Sequence, residues 1–144
     1  MFDKKKSELL ANKIRKHVLI MTQLGNSSHI GSNLSIADIL SVLYGSILNY
    51  NPNDPKSKNR DRFILSKGHA GAGLYAVLAE CGFMPLEKLK THCQDGSDLS
   101  GHISHKEISG VEFSTGSLGH GLPVACGMAL AAKINKNKHR VFVM

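Results

Sequence analysis

The chain of 144 residues alternates apolar helical faces with short apolar runs that have the character of strands. In four segments the apolar residues recur at spacings of three and four, which is the period of one face of an α-helix. These predicted helices lie at residues 7–24, 35–48, 74–81 and 118–134. Two predicted strands lie at residues 62–65 and 140–144. This alternation indicates an α/β layer fold, with residues 1–144 forming one domain.

Turn and capping residues set the expected ends of the helices. Gly25 should stop the first helix, Ser35 should cap the second with its hydroxyl, and Gly82 should end the third. Pro85 suits the first turn of a further short helix. Residues 91–116 are rich in Gly, Ser, His and Asp and lack periodicity, so they predict a long loop of the kind that carries functional sites.

Composition argues against several classes of protein. Apolar residues make up 42% and charged residues 20%, so the chain is expected to fold in water rather than remain disordered. Residues 24–53 are interrupted by Asp38 and rich in Gly, Ser and Asn, so no membrane span is predicted. The basic N-terminus lacks a following apolar segment, which places the protein in the cytoplasm rather than in a secretory pathway. The three cysteines lack C-x-x-C spacing and are interpreted as reduced thiols.

The formal net charge of +7 raises the question of an anionic partner. Such a balance can attract nucleic acid or phosphorylated metabolites. Because no aromatic residues interleave with the basic runs, these runs are interpreted as solvated helix ends and loops. The sequence therefore predicts no nucleic-acid partner, and a preference for sugar phosphates stands as a hypothesis.

Histidines next to glycines are the main candidate functional residues. They are His29, His69, His102 and His120. Histidine can donate, accept or carry charge near neutral pH, and an adjacent glycine lets a ligand approach the backbone closely. A structural role is the alternative for any one of them, and the short spacing of His102 and His105 leaves a zinc site open. As a set, the four histidines favour a ligand pocket.

A second candidate is the segment Thr-Gly-Ser-Leu-Gly-His-Gly at residues 115–121. Its glycines permit a tight turn and expose backbone groups, which can hold an anion or the polar edge of a ring at the start of a helix. It is not a dinucleotide-binding fingerprint, because no clear strand precedes it and no acidic residue follows at the expected distance.

In their order and separations, these motifs resemble the start of transketolase. The matching segments are Ser-His-Ile-Gly at 28–31, Arg-Asp-Arg-Phe-Ile-Leu-Ser-Lys-Gly-His-Ala at 60–70, Gly-His at 101–102, residues 115–121, and Gly-Met-Ala at 127–129. The resemblance runs from about Lys13 onward, and the Ser-Lys-Gly-His form is most similar to the N-terminal subunit of two-subunit transketolases. It implies the helix-rich, incomplete N-terminal part of a diphosphate-binding domain with a parallel sheet.

The resemblance also implies thiamine diphosphate as the cofactor, with contacts at matching positions. His69 would contact the diphosphate. Backbone atoms of Gly116 and Leu118 would hold the aminopyrimidine ring, with Ser117 shaping the turn between them. No metal ligand is assigned within this chain.

For the reaction, the resemblance implies transfer of a two-carbon ketol unit from a ketose, or its phosphate, to an aldose. His29 and His102 would face this sugar, bind its hydroxyls and assist proton transfer. The alternatives are a non-catalytic protein that keeps the fold to bind a sugar phosphate or a partner, and a deoxyxylulose-phosphate synthase, which the Ser-Lys-Gly-His-Ala form disfavours.

Two parts of the family's site are expected outside this sequence. In the family, a Gly-Asp-Gly motif and a later Asn hold Mg²⁺ or Ca²⁺, and the chain is expected to stop just short of that motif. The glutamate that activates the cofactor belongs to a pyrimidine-binding domain or a C-terminal subunit. A homo- or hetero-oligomer is therefore expected, and the chain alone is expected to be inactive.

Overall fold

The computed structural model describes residues 3–144 as five α-helices around a two-stranded parallel sheet. The α-helices are α1 (Lys4–Leu24), α2 (Ile30–Leu34), α3 (Ala37–Val42), α4 (Gly71–Glu80) and α5 (Gly121–Ile134). The strands are β1 (Arg62–Ile64) and β2 (Val141–Val143), and shorter helical turns span Leu43–Ile47, Gly68–Ala70 and Leu86–Thr91. The predicted α/β fold is confirmed.

The first helix begins earlier than predicted because Asp3 caps it. The Asp3 carboxylate accepts a hydrogen bond from the Lys6 backbone N–H at 3.1 Å. Gly25 does follow the helix, but with φ of −83° it is not left-handed. A side chain there would come 2.4 Å from the carbonyl oxygen of His92, so close backbone approach explains the glycine.

The predicted helix at residues 35–48 is wrong at its start. Helix α2 already begins at Ile30, after His29 takes a left-handed conformation with φ of 70°. Ser35 lies between α2 and α3, and its hydroxyl donates to the Ser32 carbonyl at 2.7 Å instead of capping a helix. The apolar face persists beyond the break, since Leu40 is buried.

By length and composition, residues Ile30–Ile47 could cross a membrane. In the fold this stretch comprises α2, α3 and the turn that follows, and it packs against α1 and α4. The predicted absence of a membrane span stays a prediction.

Helix α4 is the centre of the core. All residues from Gly71 to Ala79 are buried, and Leu74, Tyr75 and Leu78 are among the largest fully buried side chains. Helices α1 and α3 and the turn at Leu86–Thr91 pack around it. Gly82 ends this segment as predicted, with a left-handed φ of 85°.

The parallel strands separate α4 from α5. Strand β1 pairs with β2 in the register Phe63 to Phe142. Phe63 belongs to the same core cluster as α4, whereas Ile64 points to the other face of the sheet and lies against Gly121 of α5. His69 follows shortly after the carboxyl end of β1. Ligands usually bind at this edge of a parallel sheet.

Candidate functional site

Three of the predicted histidines lie together beyond the carboxyl end of β1. The ring centroids of His29 and His69 are 5.1 Å apart, and those of His29 and His102 are 5.7 Å apart. Each histidine comes from a different segment: the start of α2, the turn after β1, and the long loop before α5. We call these three residues the histidine cluster.

His69 is held by a serine that the sequence did not single out. The Ser32 Oγ and His69 Nε2 atoms are 2.7 Å apart, a short hydrogen bond that orients the ring. Partial burial, followed by the charges of His29 and Lys67, lowers the pKa of His69 below its usual value. A neutral His69 ring is therefore favoured near neutral pH, with Lys67 supplying a nearby positive charge.

Asn33 attaches the cluster to the core. Its Nδ2 donates to the His29 carbonyl at 2.9 Å, and its Oδ1 accepts from the Gly73 backbone N–H at 2.7 Å. Asn33 is buried. It thus fixes the left-handed turn at His29 against α4, a role that sequence reasoning missed. Asn33 lies four positions after His29 and is the one buried residue of α2.

Tyr75 fixes the backbone of the loop that carries His102. Its hydroxyl donates to the His102 carbonyl at 3.3 Å and accepts from the Ser104 N–H at 3.1 Å. Nearby, the Ile103 N–H donates to the Gly68 carbonyl at 2.9 Å. The exposed His102 ring is therefore carried on a loop with a well-fixed backbone.

The glycine-rich segment borders the cluster. Gly68 packs against Thr115 so closely that an added Cβ would lie 2.1 Å from the Thr115 carbonyl oxygen. The next residue, Gly116, lies beside His102, because a Cβ at Gly116 would be 3.9 Å from His102 Cδ2. Ser117 and Leu118 continue as an exposed turn into α5. Gly116 thus adjoins the cluster, and Ser117 and Leu118 follow it in the exposed turn.

The two other candidate histidines, His120 and His105, pair with different side chains. The His120 ring packs edge-on against Phe113, with centroids 5.5 Å apart. His105 Nδ1 lies 2.6 Å from the Ser114 hydroxyl. Across residues 3–144, no three His, Cys, Asp or Glu side chains are close enough to share a metal ion.

The chemistry of the cluster fits an anionic, hydroxyl-bearing ligand. His69, Ser32 and Lys67 offer donors and positive charge to a diphosphate, and the exposed backbone of the Gly116 turn remains available for a ring edge. His29 and His102 are exposed imidazoles that can exchange protons with sugar hydroxyls. The residues present therefore fit the implied thiamine diphosphate.

Comparison with known proteins agrees with this chemistry. Residues 6–141 match a family described as transketolase, thiamine diphosphate binding domain. The chain is 42% identical over 130 residues to one subunit of an apulose-4-phosphate transketolase from Actinobacillus succinogenes, covering 90% of this chain and 47% of that protein. The chain thus spans about half the length of this curated relative.

Solved structures show the same fold. A transketolase from Campylobacter jejuni superposes with a TM-score of 0.91 at 38% identity, covering 99% of this chain and 23% of that one. A Pichia stipitis transketolase in complex with sedoheptulose-7-phosphate superposes with a TM-score of 0.88 at 33% identity, covering 95% of this chain and 22% of that one.

Proposed function

The chain belongs to the transketolase family, through its thiamine diphosphate-binding domain, and we propose that it forms part of an enzyme that moves a two-carbon ketol unit from a ketose to an aldose. The observation that carries the proposal is the cluster of His29, His69 and His102 beside the exposed Gly116 turn. It combines anion-binding donors with exposed imidazoles in one place.

Thiamine diphosphate, when bound, supplies the nucleophilic carbon and the electron sink for the reaction. The role of the protein is to bind and orient the cofactor and the substrate and to transfer protons. His69, oriented by Ser32, would donate to the diphosphate, and the backbone of Gly116 and Leu118 would hold the aminopyrimidine. Mg²⁺ or Ca²⁺ would neutralise the diphosphate through oxygen ligands supplied from outside this chain.

His29 and His102 bind the hydroxyls of the sugar. Both rings are exposed while their backbones are fixed, His29 by Asn33 and His102 by Tyr75. This arrangement suits proton transfer to and from hydroxyl oxygens, because the imidazoles can reach the substrate without reorganising the loops.

The substrates are proposed to be sugar phosphates. The chain has a formal net charge of +7, and phosphorylated sugars appear in the names of an apulose-4-phosphate relative and of a complex with sedoheptulose-7-phosphate. The apulose-4-phosphate relative is described as one subunit of its transketolase, which supports a partner subunit carrying the pyrimidine-binding domain.

The test is transfer activity of the polypeptide carrying this chain, assembled with that partner, thiamine diphosphate and Mg²⁺. We expect phosphorylated ketoses to react faster than unphosphorylated ones, with the advantage shrinking as salt rises. Equal rates for both would overturn the sugar-phosphate proposal. Absence of transfer from any ketose would overturn the enzymatic one in favour of a binding protein.

Two variants test the proposed role of His102 in proton transfer. His102→Asn should lower kcat by about 10²- to 10⁴-fold, the usual contribution of a general acid or base. His105→Asn is the matched control, because His105 is exposed on the same loop but its ring pairs with Ser114. Similar rates for both variants would remove His102 from the reaction.

A further inference from the structure

A thiol and an imidazole lie in contact on the loop that carries His102, outside the histidine cluster. The sulfur of Cys93 is 3.5 Å from Nε2 of His92. Cys93 is exposed, whereas His92 is only 2% exposed. The pair therefore joins an accessible nucleophile to a buried base.

The Leu99 carbonyl fixes which nitrogen of His92 carries a hydrogen. His92 Nδ1 lies 3.1 Å from the Leu99 carbonyl oxygen. A carbonyl oxygen only accepts hydrogen bonds, so Nδ1 is the donor and Nε2 of the neutral ring keeps its lone pair. Burial lowers the pKa of His92, which keeps the ring neutral near pH 7. Nε2 therefore accepts from the Cys93 S–H, an arrangement in which an adjacent base activates a thiol.

The backbone of Cys93 is fixed in a conformation that keeps this pair together. Cys93 has a left-handed φ of 55°, which is uncommon for a residue with a side chain. Its N–H donates to the same Leu99 carbonyl at 2.9 Å. A Cβ at Gly25 would come 2.4 Å from the His92 carbonyl oxygen and 3.1 Å from Cys93 Cβ, so the glycine leaves room for this turn. The thiol, the imidazole and the carbonyl are thus held in one arrangement.

We propose that Cys93 is a modification site that exchanges with low-molecular-weight disulfides, with His92 as its base. His92 Nε2 takes the thiol proton while the Cys93 sulfur attacks one sulfur of the disulfide. The S–S bond of the reagent breaks, a mixed disulfide forms on Cys93, and the leaving thiolate takes the proton from His92. Cys93 is oxidised and the leaving sulfur is reduced, so no further reactant is needed.

The other two cysteines of the chain provide the comparison. Cys126 is also exposed, but its neighbours on α5 are Ala125 and Gly127, which cannot act as a base. Cys81 is half-buried, and burial raises the pKa of its thiol, which disfavours the reactive thiolate. An ordinary thiol is only a few per cent ionised near pH 7. Cys93 is therefore expected to react fastest of the three.

A group added to Cys93 would also affect the proposed active site. The Cys93 sulfur lies against Gly101, because a Cβ at Gly101 would be 3.4 Å from it. Gly101 immediately precedes His102, which is proposed to transfer protons. Modification of Cys93 should therefore displace His102 and lower transfer activity. This consequence rests on the proposed function, whereas the thiol chemistry rests on His92 and Leu99 alone.

The first test follows each cysteine by peptide-resolved mass spectrometry in the polypeptide carrying this chain, assembled with its partner subunit and treated with hydroxyethyl disulfide. Near pH 7, Cys93 should react at least about tenfold faster than Cys126. In His92→Gln, Cys93 should slow to about the rate of Cys126, whose own rate should not change, and circular dichroism should confirm folding. Equal rates in wild type, a Cys93 that does not react, or an unchanged Cys93 rate in His92→Gln would each overturn the proposal.

The second test needs no substitution. Lowering the pH from about 7 to about 6 should slow Cys126 about tenfold, because its thiolate fraction falls in proportion. Cys93 should slow less than about threefold, because His92 stays largely neutral. Tyr75 of α4, which packs against His92, also stays neutral, since burial raises its pKa. A tenfold fall at both cysteines would remove His92 from the reaction.

The third test measures transfer activity after the same treatment. Modified wild type should transfer at least about tenfold more slowly and recover on reduction with dithiothreitol. Cys93→Ser should transfer like untreated wild type and resist the disulfide, whereas the matched control Cys126→Ser should remain sensitive. Full activity of the modified protein would overturn the link to His102. The mass readouts do not depend on transferase activity, so failure of the proposed function would leave them interpretable.

Discussion

Helices α4 and α5 have similar apolar sequences but opposite surroundings. Every residue from Gly71 to Ala79 in α4 is buried, whereas α5 buries only Gly121, Ala125 and Ala132. Helix α4 has α1, α3 and the turn at Leu86–Thr91 around it, and α5 has the two strands on one side. Among the described residues, the region around α4 is therefore packed on all sides, whereas most of α5 is exposed.

The candidate site lies where these two regions meet. His69 precedes α4 and is held by Ser32, while Gly116 leads into α5. The part of the site that orients the histidines thus belongs to the buried region around α4. The part proposed to hold the aminopyrimidine belongs to the exposed region around α5.

Matched truncations give the largest expected contrast between the regions. Leu78→Ala in α4 should lower the free energy of unfolding by about 2–5 kcal/mol, because a fully buried leucine leaves a cavity. Leu130→Ala in α5 should change it by less than about 0.5 kcal/mol when the protein is monomeric. Urea unfolding at low protein concentration measures both, and equal losses would contradict the distinction.

The two glycines of α5 sharpen the contrast within one helix. Gly121→Ala should destabilise the fold by about 1–3 kcal/mol, since the new methyl would come 2.8 Å from Ile64 and from Ser66. Gly127→Ala meets no atom and should stabilise the monomer by up to about 1 kcal/mol through helix propensity. Thermal unfolding of both variants decides, and changes of the same sign would show that α5 is not packed on β1 as described.

The smallest expected effect is a pH dependence of the unfolding free energy that arises from a histidine packed against α4. His92 is buried beside Tyr75, and burial lowers its pKa. The unfolded chain takes up this proton near pH 6.5 and the folded chain only at lower pH, so stability is complete above about 6.5 and falls below it. His92→Gln should flatten the change in unfolding free energy between about pH 7.5 and 5.5. An unchanged slope would assign the pH dependence to another group, for example His69.

Sequence periodicity predicted the strands and most of the helices, because their apolar faces are local patterns. It missed α2, which has five residues and buries only Asn33, and it misread Ser35, whose hydroxyl donates to the Ser32 carbonyl. The histidines were predicted as a set. Their supports were not, because Ser32 meets His69 across 37 positions and Asn33 meets Gly73 across 40. Such contacts exist only once α2 has packed on α4.

The measurement closest to the central claim is calorimetric binding of thiamine diphosphate with Mg²⁺ to the polypeptide carrying this chain, assembled with its partner subunit. His69→Ala should weaken binding by about 10- to 100-fold, the value of a hydrogen bond to a charged group. The control His105→Ala should bind like wild type, because its ring pairs with Ser114 outside the histidine cluster. Undiminished affinity in His69→Ala would contradict the assignment of the diphosphate to the histidine cluster.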